Sequence, residues 1–361
     1  MIENQAIFTS VVGFVSQCNS YHHLESRIHF NLKDKYKMLK KSIITASVFA
    51  AMAAMPSQAG VMFNFDYSNN TAGVGFLDNS EGAARRAALD TAGNMFSNMF
   101  GTYFSDSATL DISVTSTDDI NSDTLASAGS ELVSACPVLG GCVITEVVKT
   151  KLQTGVDANG AAADGSVDVN WASEWKLDPN TPADAALDEF DFFAAIFHEL
   201  THALGFNSII DKNGEGFFKD EWSTFDTFLQ DSTGEKVVTD TFFINQPAWD
   251  AASVGGTGSG LFFGGANAVA ANGGNAVEIF SPTTWIDGSS GSHIDGTPFP
   301  TDMMKYDRGY GPETRDYSPV DVGILTDIGY TRVASTSVPE TGTLGLAFLG
   351  LAGLFLRRRK A

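Results

Sequence analysis

Hydrophobic and polar positions alternate from Val61 to Tyr67, the period of a strand with one covered face. A different rhythm follows. Between Ala84 and Phe104, residues Ala88, Ala92, Met95, Phe96, Met99 and Phe100 recur at steps of three and four, which predicts an amphipathic helix. Leu110, Ile112 and Val114 alternate with polar neighbours, and Cys142–Val148 and Val167–Trp171 read as further strands. A second long helix is predicted over Asp188–Leu204, closed by Gly205 as its C-terminal cap. Beyond it the texture changes. Residues 207–315 are rich in Gly, Ser, Asn and Asp with short apolar islands, so loops and short strands are expected. Ser318-Pro319 then opens a last helix, with Ser as N-cap, Pro in the first turn, and an apolar face of Val322, Leu325 and Ile328. The order predicts an α+β fold. Strands and two long helices fill an N-terminal subdomain, residues 60–206. A loop-rich C-terminal subdomain occupies 207–332.

Both ends carry processing patterns rather than fold patterns. Residues 38–59 place Lys40 and Lys41 before the apolar stretch Ser42–Met55 and then Ser57-Gln58-Ala59, the layout of a secretory signal peptide cleaved after Ala59. The signal starts at an internal methionine, Met38, so residues 1–37 read as an over-long start. Residues 333–361 read as a Ser/Thr linker and then VPETGTLGLAFLGLAGLFLRRRKA. A short polar motif precedes an apolar run too short to span a bilayer comfortably, and a basic cluster closes it. This tail resembles the PEP-CTERM sorting signals of bacterial surface proteins, with Thr341 where that pattern usually has Pro; Val338–Gly342 also looks like a variant sortase motif. The resemblance implies an exported bacterial protein, secreted or held at the cell surface or membrane by its tail, and an exosortase-like sorting enzyme as a partner.

With both ends set aside, residues 60–337 carry 12 basic and 39 acidic side chains, a net charge of −27. Such a surface repels nucleic acid and anionic membranes. It suits a soluble extracellular protein and leaves room for Ca2+. Of the three cysteines, Cys18 falls in the doubtful leader. Cys136 and Cys142, in CPVLGGC, are expected to form a local disulfide in an oxidising compartment. Asp211-Lys212-Asn213-Gly214-Glu215-Gly216 starts like a calcium loop, but its twelfth position is Trp222, so a polar turn is the better reading.

The chemistry concentrates in His198-Glu199-Leu200-Thr201-His202-Ala203-Leu204-Gly205-Phe206. Residues four apart on a helix share a face, so His198 and His202 can hold one Zn2+ ion. Glu199 is turned away from that ligand position and suits the general base that takes a proton from water and passes it to a leaving amine. Residues 60–337 contain one further histidine, His293, the candidate third ligand; Asp295 is the alternative. Ser208 stands where the compact HExxHxxGxxH pattern has its third histidine, which excludes that form.

HELTHALGF, GSSGSHID and the closing DVGILTDIGY resemble the leishmanolysin-like branch of the metzincin zinc peptidases, over roughly residues 165–330. The resemblance implies an α+β zincin fold, with a twisted mixed sheet, an active-site helix and a loop-rich C-terminal subdomain, and a methionine turn below the metal. Met303 and Met304 compete for that turn, and Met304 is assigned because Tyr306, two residues on, then falls where related families have a tyrosine that steadies the oxyanion. The expected function is zinc-dependent endopeptidase action on a protein or peptide substrate. The alternative is a cell-surface or matrix binding protein with a metal site and no relevant proteolysis.

Overall fold

A computed structural model describes residues 60–334, apart from 135, 137–140 and 219. The segments expected to be an over-long start (1–37), an export signal (38–59) and a sorting motif (from Val338 onward) lie outside the described residues.

The central element is a mixed four-stranded sheet of β1 (Met62–Asp66), β2 (Thr109–Thr117), β3 (Ala126–Ser130) and β4 (Gly165–Asn170). The spatial order is β1-β2-β4-β3. β1, β2 and β4 run parallel, whereas β3 pairs antiparallel with β4, setting Ala128 opposite Val167. Leu110, Ile112, Val114, Val167 and Val169 point inward at two-residue spacing and are buried. Two long helices cover that face. α1 (Gly82–Tyr103) turns Ala88, Leu89, Ala92, Phe96 and Phe100 toward the sheet and toward α3 (Phe192–Ala203). Between these two helices lies α2 (Val147–Thr154) in the chain. The Phe96 and Phe197 rings meet edge to face at 5.7 Å, which fixes how α1 and α3 lie together. Burying each such ring contributes about 1.5–3 kcal/mol.

The C-terminal part is loop-rich. It contains a small antiparallel sheet of β5 (Leu229–Gln230), β6 (Leu261–Phe263) and β7 (Val277–Ile279), and the short helices α4 (Gln246–Ala252) and α5 (Ala266–Ala271). α6 (Pro319–Asp327) ends the described fold. Its Ser318 cap is reinforced by Asp321, whose carboxylate accepts from the Ser318 amide while Ser318 Oγ accepts from the Asp321 amide. The architecture is α+β. Among the described residues no helix is long and apolar enough to cross a membrane.

Two elements differ from expectation. The strand expected over Cys142–Val148 is cut into two-residue ladders, and Val147 opens α2 instead. The Val147 amide donates to Glu131 O and the Val148 amide to Ser130 Oγ. Val147, Val148 and Leu152 then bury one helical face, and Gly155 closes the helix with φ +73°. The long helix starts at Phe192 rather than Asp188, because the Asp191 carboxylate accepts from the Ala194 amide and acts as N-cap. β3 was invisible in Ala126-Ser127-Ala128-Gly129-Ser130, which has no apolar alternation.

Candidate metal centre

α3 is built to present two imidazoles. Its N-terminus is held by Asp191, which caps the helix and also pairs with Arg315 at 2.8 Å. The helix interior is apolar almost all round, as a helix between a sheet and a second layer must be. His198 and His202 project one turn apart and are buried, with rings near perpendicular at 4.6 Å between centroids. At the end of the helix Gly205 adopts φ +94°, and a Cβ there would lie 2.7 Å from Glu146 Oε1. Only glycine meets both conditions comfortably. The turn it allows brings the Phe206 carbonyl back beneath the helix, where it stands 2.7 Å from His202 Nδ1.

The third imidazole arrives from the loop-rich part. Ile294 bridges to Ile279 at the end of β7, and the Phe280 amide donates to His293 O at 2.7 Å. Ser289 O lies 2.9 Å from His293 Nδ1. Met303 and Met304 lie in a turn and are fully buried. The Ile294 amide donates to Met304 O at 2.8 Å, and His198 Nδ1 lies 2.8 Å from Met303 O. One turn therefore braces the ligand helix and the segment carrying His293.

These contacts fix the protonation pattern. A carbonyl only accepts, so each Nδ1 facing one carries the ring proton. Each neutral ring then offers a bare lone pair at Nε2. The three Nε2 atoms stand 3.1 Å from one another and form an equilateral triangle. Taken as hydrogen bonds, those contacts would require one ring to be charged. Burial opposes that charge: it holds His198 well below the ordinary 6.5, with the Arg308 guanidinium adding to the effect, and takes His202 to about 4 and His293 to about 3. Three acceptors converging on one point call for a cation. Nitrogen ligands about 2.0–2.1 Å from a tetrahedral ion would stand about 3.3 Å apart, close to the spacing found. His198, His202 and His293 thus form a buried set able to bind a metal ion.

Glu199 lies next to the first imidazole. Burial raises its carboxyl to about 8, while the Arg308 charge and the Ala128 amide of β3 pull the other way. A bound cation would add to that pull and favour the carboxylate.

The other candidates divide. Asp295 accepts from Thr257 Oγ1, distant in the chain, at 2.9 Å and from the Thr297 amide of its own loop at 2.8 Å, and His293 makes up the triad instead. Tyr306 sits at the surface with its ring stacked on Phe280 at 3.6 Å, and the Phe280 amide donates to the backbone carbonyl of His293. Of the two methionines, Met303 supplies the carbonyl at His198, and Met304 supports the strand-like segment beside His293. Cys136 and Cys142 are joined in a disulfide with Cα atoms 5.8 Å apart. Asp211 closes a polar turn, taking the amides of Asn213 and Glu215 on one oxygen. Sequence reasoning missed the three carbonyls of Phe206, Ser289 and Met303, because a backbone group leaves no mark on residue identity. It also missed Arg308, whose guanidinium donates to Met303 O.

No protein-family model matches the chain, and no curated protein matches it either.

Proposed function

We propose that the protein is a zinc-dependent endopeptidase of metzincin-like build, in which His198, His202 and His293 hold the ion and Glu199 moves the proton. One observation carries the reading: three neutral imidazoles converge on one point, two of them one turn apart on α3, and the residue after the first of these is the carboxylate Glu199. Zinc bound there would supply Lewis acidity, polarising a scissile carbonyl and making water nucleophilic near neutral pH. The Glu199 carboxylate takes a proton from the attacking water and returns it to the leaving nitrogen. Among the described residues β3 pairs with β4 alone, and its Ala128 amide faces Glu199, so an extended peptide can lie along that edge. Gly205 at the helix end and a methionine turn under His198 fit the same build. In this reading the site lies where an N-terminal subdomain (60–206) meets a C-terminal one (207–332). Tyr306 steadies the oxyanion after moving from its stack on Phe280.

Export through residues 38–59 and sorting by an exosortase-like enzyme acting on the tail belong to the same proposal and rest on sequence. So does any Ca2+ held by the acidic surface. The test is Glu199→Gln beside wild type, with metal content and peptide cleavage measured on both. Retained zinc with cleavage lowered at least a hundredfold is expected, at the low end of what proton transfer contributes. Full activity in the variant would falsify the mechanism. Zinc binding with no cleavage by wild type would favour the surface or matrix binding protein.

A further inference from the structure

The Met303 carbonyl has two donors. One is Nδ1–H of the ligand His198, at 2.8 Å. The other is the Nη2 group of Arg308, five residues further along the same loop. Arg308 is otherwise poorly matched. Its Nε and Nη1 atoms are buried and have no hydrogen-bond partner, and no carboxylate among the described residues pairs with it. Burial depresses its basicity, with Glu313, Glu199, Asp191 and Asp321 pulling the other way across longer distances. Its own charge in turn depresses the basicity of all three imidazoles.

A buried guanidinium close to a metal site is a cost on two counts. It loses hydration without a full set of partners, and it repels a dication. Its charge therefore works against metal binding, and a favourable contribution has to come from geometry. We propose that Arg308 is a positioning residue of the metal centre: it pins the Met303 peptide plane so that its carbonyl receives His198 Nδ1–H and leaves His198 Nε2 aimed at the other two rings. The proposal rests on the triad being a metal site. It places behind the ligands a local contact between Arg308 and Met303, five residues apart in the loop that leads from the methionine turn toward α6. Removing such partners of a ligand histidine ordinarily weakens metal binding ten- to a hundredfold.

The charge and the hydrogen bond predict opposite signs, which makes the test decisive. Full-length protein is prepared as wild type, Arg308→Met, Arg308→Lys, His198→Ala and the double variant His198→Ala/Arg308→Met. Zinc affinity is read by competition with a chromophoric chelator. The visible spectrum is recorded with cobalt in place of zinc, and the unfolding midpoint is taken without metal. Arg308→Met is expected to weaken zinc binding ten- to a hundredfold and to change the cobalt bands. Arg308→Lys should recover part of the affinity, and it keeps the question answerable if the methionine variant does not fold. In the His198→Ala background the same Arg308→Met change should cost less than threefold, because the ligand through which Arg308 acts is gone. Equal or tighter zinc binding by Arg308→Met would overturn the proposal in favour of a mere field effect. A lowered metal-free midpoint with unchanged affinity would overturn it in favour of a structural role. If wild type itself binds no zinc, the metal site fails; if wild type binds and the cycle is additive, only the role of Arg308 fails.

Discussion

Removing the metal gives the sharpest test of the triad. In the metal-free protein three buried Nε2 lone pairs face one another at 3.1 Å with nothing to share. A bound ion turns that repulsion into three bonds, and because the unfolded chain does not hold the three imidazoles together, the binding energy becomes folding stability. With free zinc at a thousand times its dissociation constant, the gain is about 4 kcal/mol. For a large single domain each kcal/mol moves the thermal midpoint by about 2–4 °C, so chelation should lower it by about 8–16 °C. The measurement is thermal unfolding of wild type with and without chelator, then with zinc restored, with metal content determined on the same samples. His293→Ala is the control. That variant leaves Ser289 O without its donor, which costs about 1–3 kcal/mol by itself, so the chelator effect must be compared within each variant. In His293→Ala the shift should fall to a small fraction of its wild-type size. A wild-type midpoint that ignores both chelator and zinc refutes the argument and leaves three packed histidines with no metal role.

Other consequences follow from the same contacts. Burial holds the His202 and His293 pKa values, about 4 and 3, below the ordinary 6.5. The neutral rings therefore contribute stability that is fully present above pH 6.5 and is lost as pH falls toward those values. For His202 alone the loss is about 3 kcal/mol in metal-free protein by pH 4, and denaturant midpoints between pH 7 and pH 4 should show it. Gly205→Ala forces a side chain into φ +94° and against Glu146, which should cost about 1–3 kcal/mol and also weaken zinc binding as Phe206 O leaves His202; an unchanged denaturant midpoint contradicts this. Cys136 and Cys142 are six residues apart, so reducing their bond should cost only about 2 kcal/mol, visible as a modest drop in midpoint with the metal still bound.

The parts of this molecule that were legible in its sequence share a physical character. Phe96 and Phe100 in α1, Ile112 and Val114 in β2, and Val322 and Leu325 in α6 follow a period because each must meet the same core at regular intervals. The three histidines of the triad were legible for a chemical reason, since few side chains offer an imidazole and residues 60–337 hold three. What stayed hidden depends on the backbone or on distant partners. β3 owes its place to pairing with β4, so Ala126–Ser130 needed no apolar rhythm. Val147 turned helical because its amide found Glu131 O, sixteen residues back. The ring protons of His198, His202 and His293 are set by the carbonyls of Met303, Phe206 and Ser289, which any residue could have provided. The histidines thus indicate that a cation can be bound, whereas these carbonyls decide which nitrogen faces it. A substitution at Met303 or Phe206 that keeps the backbone in place should accordingly disturb the site far less than one at Gly205 or Arg308, which hold that backbone where it is.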